Sequence, residues 1–317
     1  MQQKLKKEQR SLQLMGTKIE LFAQHPQADL VIEEAANRLA VYEKRFSAND
    51  EASDLMKVNR AAGVHPVVVH PDLFELIEVG VQHSLDSQGA LNIAIGPLVQ
   101  TWRIGFSNAR VPSQEEIDDL LKIVDPKQIE LDSNTSSVFL KQAGMRIDLG
   151  ALAKGYFADL IIDFFKDVGV RSGMINLGGN LLTTGLPPTE RKERVWLIGI
   201  QDPHKPRGNN KVILKTYNQS VVTSGAYERH YTYKGKTYHH IFDSQTGYPI
   251  EADIDSITIV SNKSLDGELW TTRLYGKKPI EIMTTVQALE GIEALILTKE
   301  GKIMATPGIQ KQIAQIL

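Results

Sequence analysis

The chain has 317 residues, 42% of them hydrophobic and 23% charged; a chain of that length buries about three quarters of its unfolded surface, so global disorder is excluded. Lys and Arg number 36 against 38 Asp and Glu, and a formal charge of −2 excludes a general binder of nucleic acid. The absence of cysteine excludes disulfide frameworks, thiolate nucleophiles, iron–sulfur clusters and cysteine zinc sites.

The chain opens MQQKLKKEQR, and Ser11, Gln13, Gly16, Lys18 and Glu20 follow. The apolar core of a secretory leader does not form there, and no Cys is present for lipid attachment. Apolar runs elsewhere are strand-sized, far short of the ~20 residues of a membrane span. These features predict a cytoplasmic protein with no membrane span. Residues 12–23 predict a first strand. Helical spacing of apolar residues predicts a helix over Asp29–Val41 with Asp29 as N-cap, and a second over Pro71–Ser84. Gly89–Ile95 alternates and predicts a strand that stops at Gly96-Pro97. Ser113–Ile123 predicts a short helix opened by a capping box between Ser113 and Glu116. Strands are predicted at Ser137–Leu140 and Met145–Asp148, then a helix over Leu152–Val168 closed by Gly169. Ser172–Thr184 reads as two strands broken at Gly178-Gly179. Strands follow at Val195–Ile200, Lys211–Tyr217, Ser220–Thr223, Tyr231–Tyr233, Tyr238–Phe242 and Ile254–Val260, with a hairpin tip at Lys234-Gly235. Residues 186–194 and 202–210 read as exposed loops. Helices over Leu265–Tyr275 and Pro279–Leu289 and a hairpin, Ala294–Thr298 with Lys302–Thr306, end the series. Strands and helices come in mixed runs, which predicts an α+β fold of layered mixed and antiparallel sheets with flanking helices. The expectation is one domain over residues 1–317, or two closely packed α+β subdomains with no visible boundary.

Several familiar motifs fail. Gly235-Lys236-Thr237 is not a P-loop, because position 230 is His where a Gly is needed. No Gly-x-Gly-x-x-Gly is present, which argues against a Rossmann site. His239 and His240 are neighbours on a predicted strand and point to opposite faces, so at most one of them serves a given site.

Four segments carry possible chemistry. Gly89–Leu98 is either a plain strand and turn or a ligand-facing segment. Ile147–Tyr156 places Asp148 and Gly150 before a helix start with Lys154 in its first turn. A lysine there opposes the helix dipole unless it meets an anion, and phosphate fits both the lysine and the unpaired N–H groups; the alternative is a solvated lysine. Val222–Arg229 with His239–Pro249 puts small residues and an imidazole at a strand end, a constellation equally open to a structural histidine and an ordinary turn. On the last segment, Asp266–Tyr275, Glu268 and Thr272 share a helix face, either as oxygen ligands suited to Mg²⁺ or as a solvated surface.

Together and in this order, Met15-Gly16-Thr17, the Ala90–Asn92 segment, Asp148–Tyr156, Thr223–Tyr227, His240–Pro249 and Glu268–Thr272 resemble the ApbE family, the FAD:protein FMN transferases. The resemblance runs from Met15 to about Tyr275, and its specific parts are Asp148–Tyr156 and His240–Pro249. It implies a T-fold-like flavin transferase architecture and a Mg²⁺-dependent reaction on FAD. AMP leaves, and FMN is joined through phosphate to a Thr or Ser hydroxyl of an acceptor flavoprotein. It further implies FAD contacts from Met15, Ala90, Leu91, Asn92, Asp148, Lys154 and His240, with His240 as general base, and metal ligation by the carbonyl of Ala151 with Glu268 and Thr272. An imidazole that titrates near the ordinary ~6.5 suits that basic role. Two departures stand out. Leu91-Asn92 replaces the family's Phe-Asp, which makes a charged contact neutral, and Glu268 replaces its Asp. Asp266 is the alternative ligand, but its register puts Trp270, which cannot ligate, in place of the threonine. Two other readings use the same residues: an FAD pyrophosphatase that releases FMN and AMP, and a non-catalytic flavin-binding protein.

Overall fold

Met15 and Gly16 both take positive φ, 54° and 68°. Paired left-handed residues are what a tight two-residue hairpin requires. The single strand expected over 12–23 therefore folds back on itself as β1 (Lys6–Leu14) and β2 (Thr17–His25). The computed structural model describes residues 4–87, 91–189, 192–227 and 229–317. After the first hairpin come α1 (Ala28–Phe46), α2 (Asp54–Arg60), β3 (Val67–Val68), α3 (Pro71–Asp86), α4 (Gly96–Trp102), α5 (Gln114–Leu121), β4 (Ile129–Asp132) and β5 (Ser137–Leu140). The middle holds α6 (Ala153–Asp167), β6 (Ser172–Leu177), β7 (Asn180–Gly185), β8 (Trp196–Gln201), β9 (Asn210–Thr216) and β10 (Ser220–Gly225). The last part holds β11 (His230–Tyr233), β12 (Lys236–His239), β13 (Ile254–Ser261), α7 (Ser264–Leu274), α8 (Pro279–Gln287), β14 (Glu293–Thr298), β15 (Ile303–Ala305), α9 (Pro307–Gln312) and β16 (Ile313–Ile316).

The expected α+β layering is what forms. An eight-stranded antiparallel sheet runs β1-β2-β6-β7-β10-β13-β14-β15. Strand alternation sends the two faces to different layers. Ile19, Leu21, Ile175 and Leu177 pack with α1 and α6 in the largest core, and Ile257, Ile259 and Ile296 pack with α7 and α8. Val221, Val260, Leu295 and Leu297 pack with Ile198, Ile200, Val212 and Leu214 of the small β16-β9-β8 sheet. A fourth cluster gathers Trp102, Ile104, Ile117 and Phe242.

Some expectations fail for local reasons. Asp29 is not the cap of α1; the helix starts at Ala28, and Asp29 sits in its first turn, where a carboxylate favours the dipole. The strand expected at Gly89–Ile95 does not form over its described part, 91–95, because Asn92 Oδ1 accepts the Ala94 N–H at 2.8 Å and bends the chain; residues 88–90 lie outside the described residues. Pro97 then sits in the first turn of α4, where its missing N–H costs nothing. Met145–Asp148 is not a strand either, and only Arg146 makes one parallel bridge, to Ile95.

The α6–α7 contact decides where the site forms. Gly155 lies in α6 against α7: a Cβ there would stand 2.6 Å from Ser264 O and 2.8 Å from Glu268 Cγ. Gly155→Ala should therefore push the helices apart and cost about 1–3 kcal/mol, read as a lower denaturant midpoint. The start of α7 carries Lys263 at its N-cap and no side-chain cap of its own. Asp159 of α6 supplies one, accepting the Ser264 and Leu265 N–H groups at 2.7 and 2.9 Å. Burial, with Asp266 and Asp163 nearby, raises the Asp159 carboxyl to about 6 against these two hydrogen bonds. Between the ordinary carboxylate range and that value the folded chain holds more protons than the unfolded one, so this group's stabilisation fades as pH rises through 6. Asp159→Ala should lose about 1–2 kcal/mol of capping at pH 5, while Asp159→Asn keeps one of the two acceptors, so it should lose only part of that and also remove the pH dependence, both read by denaturation across pH 4–8.

Candidate active site

The first turn of α6 and the middle of α7 bring two sequence-predicted residues into direct contact. Lys154 Nζ lies 2.7 Å from Glu268 Oε1, with Glu268 buried and Lys154 partly exposed. Asn180, the first residue of β7, donates to the same oxygen at 2.9 Å and accepts from Ser264 Oγ at 2.6 Å. Ser220 Oγ donates to Ser264 Oγ at 2.9 Å and extends the chain into β10. A buried carboxylate is thus fixed by three elements, and its charge is satisfied by an ammonium and an amide. Among the described residues Glu268 Oε2 takes no hydrogen bond.

Thr272 follows one turn later, half-buried, and its hydroxyl has no partner among the described residues. Among the described residues the Ala151 carbonyl, in the exposed turn before α6, accepts no backbone N–H. A spare carboxylate oxygen, a hydroxyl and an orphan carbonyl are hard oxygen donors. They suit an ion that takes few protein ligands and completes its shell with phosphate oxygens and water. Among the described residues no group of three His, Asp or Glu offers an alternative metal cage.

His239 and His240 take separate environments, but not by alternation along one strand: the strand expected over Tyr238–Phe242 ends at His239 and leaves His240 in a bend. His239 is spent on structure: Nε2 lies 2.8 Å from the Ile250 carbonyl and Nδ1 accepts the Ile241 N–H at 3.2 Å. His240 Nδ1 lies 3.2 Å from the Arg229 carbonyl. A carbonyl only accepts, so Nδ1 is assigned the proton and Nε2 keeps its lone pair. Burial pushes the His240 imidazole down to about 4, with the charges of Arg229 and Lys154 adding to the effect against the Arg229 hydrogen bond. The value near 6.5 expected from sequence is therefore corrected: at neutral pH this imidazole is uncharged. That Lys154 acts on His240 places the ammonium within electrostatic reach of the ring.

Asp148 donates its N–H to the Ile93 carbonyl and accepts the Gly150 N–H, both at 2.8 Å, so it holds the 91–95 segment beside the start of α6. Burial raises its carboxyl, and the Arg229 charge opposes the shift. Arg229 was not singled out from sequence. Its guanidinium reaches over Gly16, where a Cβ would stand 3.8 Å from Nη2, which joins the Met15-Gly16 turn to Asp148 and His240. Met15 itself donates its N–H to Glu43 at 2.6 Å and packs its side chain against the main core. Ala90 lies outside the described residues. Leu91 turns its side chain into the core, and Asn92 commits its amide to the Val124 carbonyl and the Ala94 N–H. With both side chains committed, only the main chain of these two is left to meet a ligand. Asn180 and Asp159 were also missed; an Asn just after Gly-Gly and a helix start with a lysine at its cap were the available signals.

The model of the ApbE family matches residues 15–296. A protein of Klebsiella pneumoniae (strain 342) named FAD:protein FMN transferase is 41% identical over 263 residues, covering 83% of this chain and 80% of the relative. One of the same name from Treponema pallidum (strain Nichols) is 33% identical over 314 residues, 95% of this chain and 87% of the relative. Among solved structures, the ApbE protein of Thermotoga maritima superposes with a TM-score of 0.89 at 25% identity, covering 98% of this chain and all of the other. Pseudomonas stutzeri flavinyl transferase ApbE in its apo form superposes with a TM-score of 0.84 at 25% identity, covering 99% and 98%.

Proposed function

The chain belongs to the ApbE family, and from that premise we propose that it transfers the FMN half of FAD to a Thr or Ser hydroxyl of an acceptor protein and releases AMP. The observation that carries this reading is the contact of Lys154 with a buried Glu268 beside a helix start, with a neutral His240 within electrostatic range of the same lysine. Phosphoryl transfer needs alignment and charge neutralisation more than covalent help from the protein. Lys154 and the N–H groups that open α6 face the FAD diphosphate. To do so, Lys154 exchanges its hydrogen bond to Glu268 for one to a phosphate oxygen.

The acceptor hydroxyl gives its proton to His240 Nε2 and forms a bond from its oxygen to the FMN phosphorus. The bond from that phosphorus to the bridging oxygen breaks, and AMP leaves with this oxygen. Arg229 holds His240 in the required tautomer through its carbonyl and adds positive charge beside Asp148. Glu268, Thr272 and the Ala151 carbonyl would hold Mg²⁺, which when bound supplies charge neutralisation to the diphosphate oxygens. Met15, Asp148 and the main chain of residues 91–92 line the flavin side.

The test is mass spectrometry of an acceptor co-expressed with the enzyme and supplied with FAD and Mg²⁺. The expected result is one FMN phosphate added to a single Thr or Ser, with AMP in equal amount. AMP and free FMN with no adduct would make the enzyme an FAD pyrophosphatase instead, and no AMP at all would make it a flavin-binding protein.

A further inference from the structure

We propose that the β11–β12 hairpin is the docking surface for the acceptor and that it takes an extended, acidic stretch of that protein. The inference rests on the transferase reading and names the partner chemistry of the same site. Residues 229–240 contain Arg229, Lys234, Lys236 and three His, and no Asp or Glu. Arg229 faces Asp148, but neither Lys234 nor Lys236 makes an ion pair among the described residues. The two lysines lie instead over the rings of Tyr233 and Tyr238, at 5.2 and 5.4 Å. Positive charge left uncompensated on a surface steers and selects acidic partners.

Among the described residues the hairpin pairs only with itself and joins none of the three larger sheets. Unpaired strand edges are where extended peptides add through main-chain hydrogen bonds. Its base is anchored, since Tyr231 and Tyr238 pack around Trp102, with the Trp102 and Tyr238 rings 5.3 Å apart. Its two ends converge on the proposed base, because β11 follows Arg229 and β12 precedes His240. A segment lying along it is therefore delivered to His240 Nε2. The tip lysines lie away from the proposed base: Lys236 is four residues from His240 along the chain, ~13 Å at the usual rise of a strand.

The test uses a short fluorescent peptide carrying one Thr among aspartates, and binding is read by anisotropy without FAD. Wild type should bind it more weakly as salt rises. The K234E/K236E variant should lose at least about tenfold in affinity while FAD binding, read by flavin fluorescence, stays unchanged. The same peptide with asparagines should bind both proteins weakly. Equal affinity of wild type and variant, or no binding of the acidic peptide to wild type, would overturn the docking surface. With FAD and Mg²⁺ added, FMN attachment at equal rates in both proteins would overturn it too. Salt-sensitive binding lost in the variant, with no FMN attached by either protein, would support the surface and count against the transferase reading.

Discussion

Glu268→Gln should cut FMN transfer by about 10²–10³-fold, the scale for losing one electrostatic contact that matters in the transition state. The Mg²⁺ concentration for half-maximal rate should rise at least about tenfold, as it does when ligand support is weakened. The reason lies in how the carboxylate is held. It is buried, one oxygen is fixed by Lys154 and Asn180, and the other takes no hydrogen bond among the described residues, with Thr272 one turn later on the same helix. Glutamine keeps the shape but removes the charge that balances Lys154 and would attract a divalent cation. Initial rates across a Mg²⁺ titration measure both effects. An unchanged titration curve would move the metal elsewhere.

His240→Ala should lose about 10²–10⁴-fold in transfer, the usual range for a positioned general base. Its pH behaviour is more specific. In the free enzyme the imidazole titrates at about 4, held down by burial and by the charges of Arg229 and Lys154. Protonation removes the lone pair, so kcat/KM for the acceptor at low FAD should fall as pH drops through that value and stay level above it. The anionic diphosphate opposes those two cations, so the corresponding limb in kcat should lie at higher pH. Stability responds with a definite sign. Between about 4 and the ordinary imidazole value, the unfolded chain binds the extra proton, so His240 lowers stability as pH falls through this window. His240→Ala should remove that slope while leaving the fold intact. A variant with normal turnover would take His240 out of the reaction.

Much of the fold was readable because local rules agreed with tertiary packing. Gly178-Gly179 splits β6 from β7 where the glycines allow positive φ, and Ser113 with Glu116 forms the expected capping box. Gly169, at φ 80°, ends α6 as its position implied. The site was legible in part for the same reason: Lys154 and Glu268 sit on helices whose facing sides follow from spacing. What could not be read was set by residues far apart in the chain. Asp159 caps a helix that begins 105 positions later, and Asn180 reaches Glu268 across 88. No local pattern encodes either partner. The basicity of His240 was misjudged because burial, which the local sequence does not show, decides it first, with the charges of Arg229 and of the sequence-distant Lys154 adding to it. The Met15-Gly16 turn escaped because Met is an unusual residue for positive φ, and apolar alternation continues across it.

The account turns on where the diphosphate of FAD sits. A crystal structure with FAD and Mg²⁺, determined for His240→Ala to hold the substrate uncleaved, measures this directly. The predicted result is diphosphate density within hydrogen-bond reach of Lys154 Nζ and the N–H groups that open α6, with a metal ion held by Glu268 and Thr272. FAD bound with its diphosphate away from Lys154 and Glu268 would contradict it.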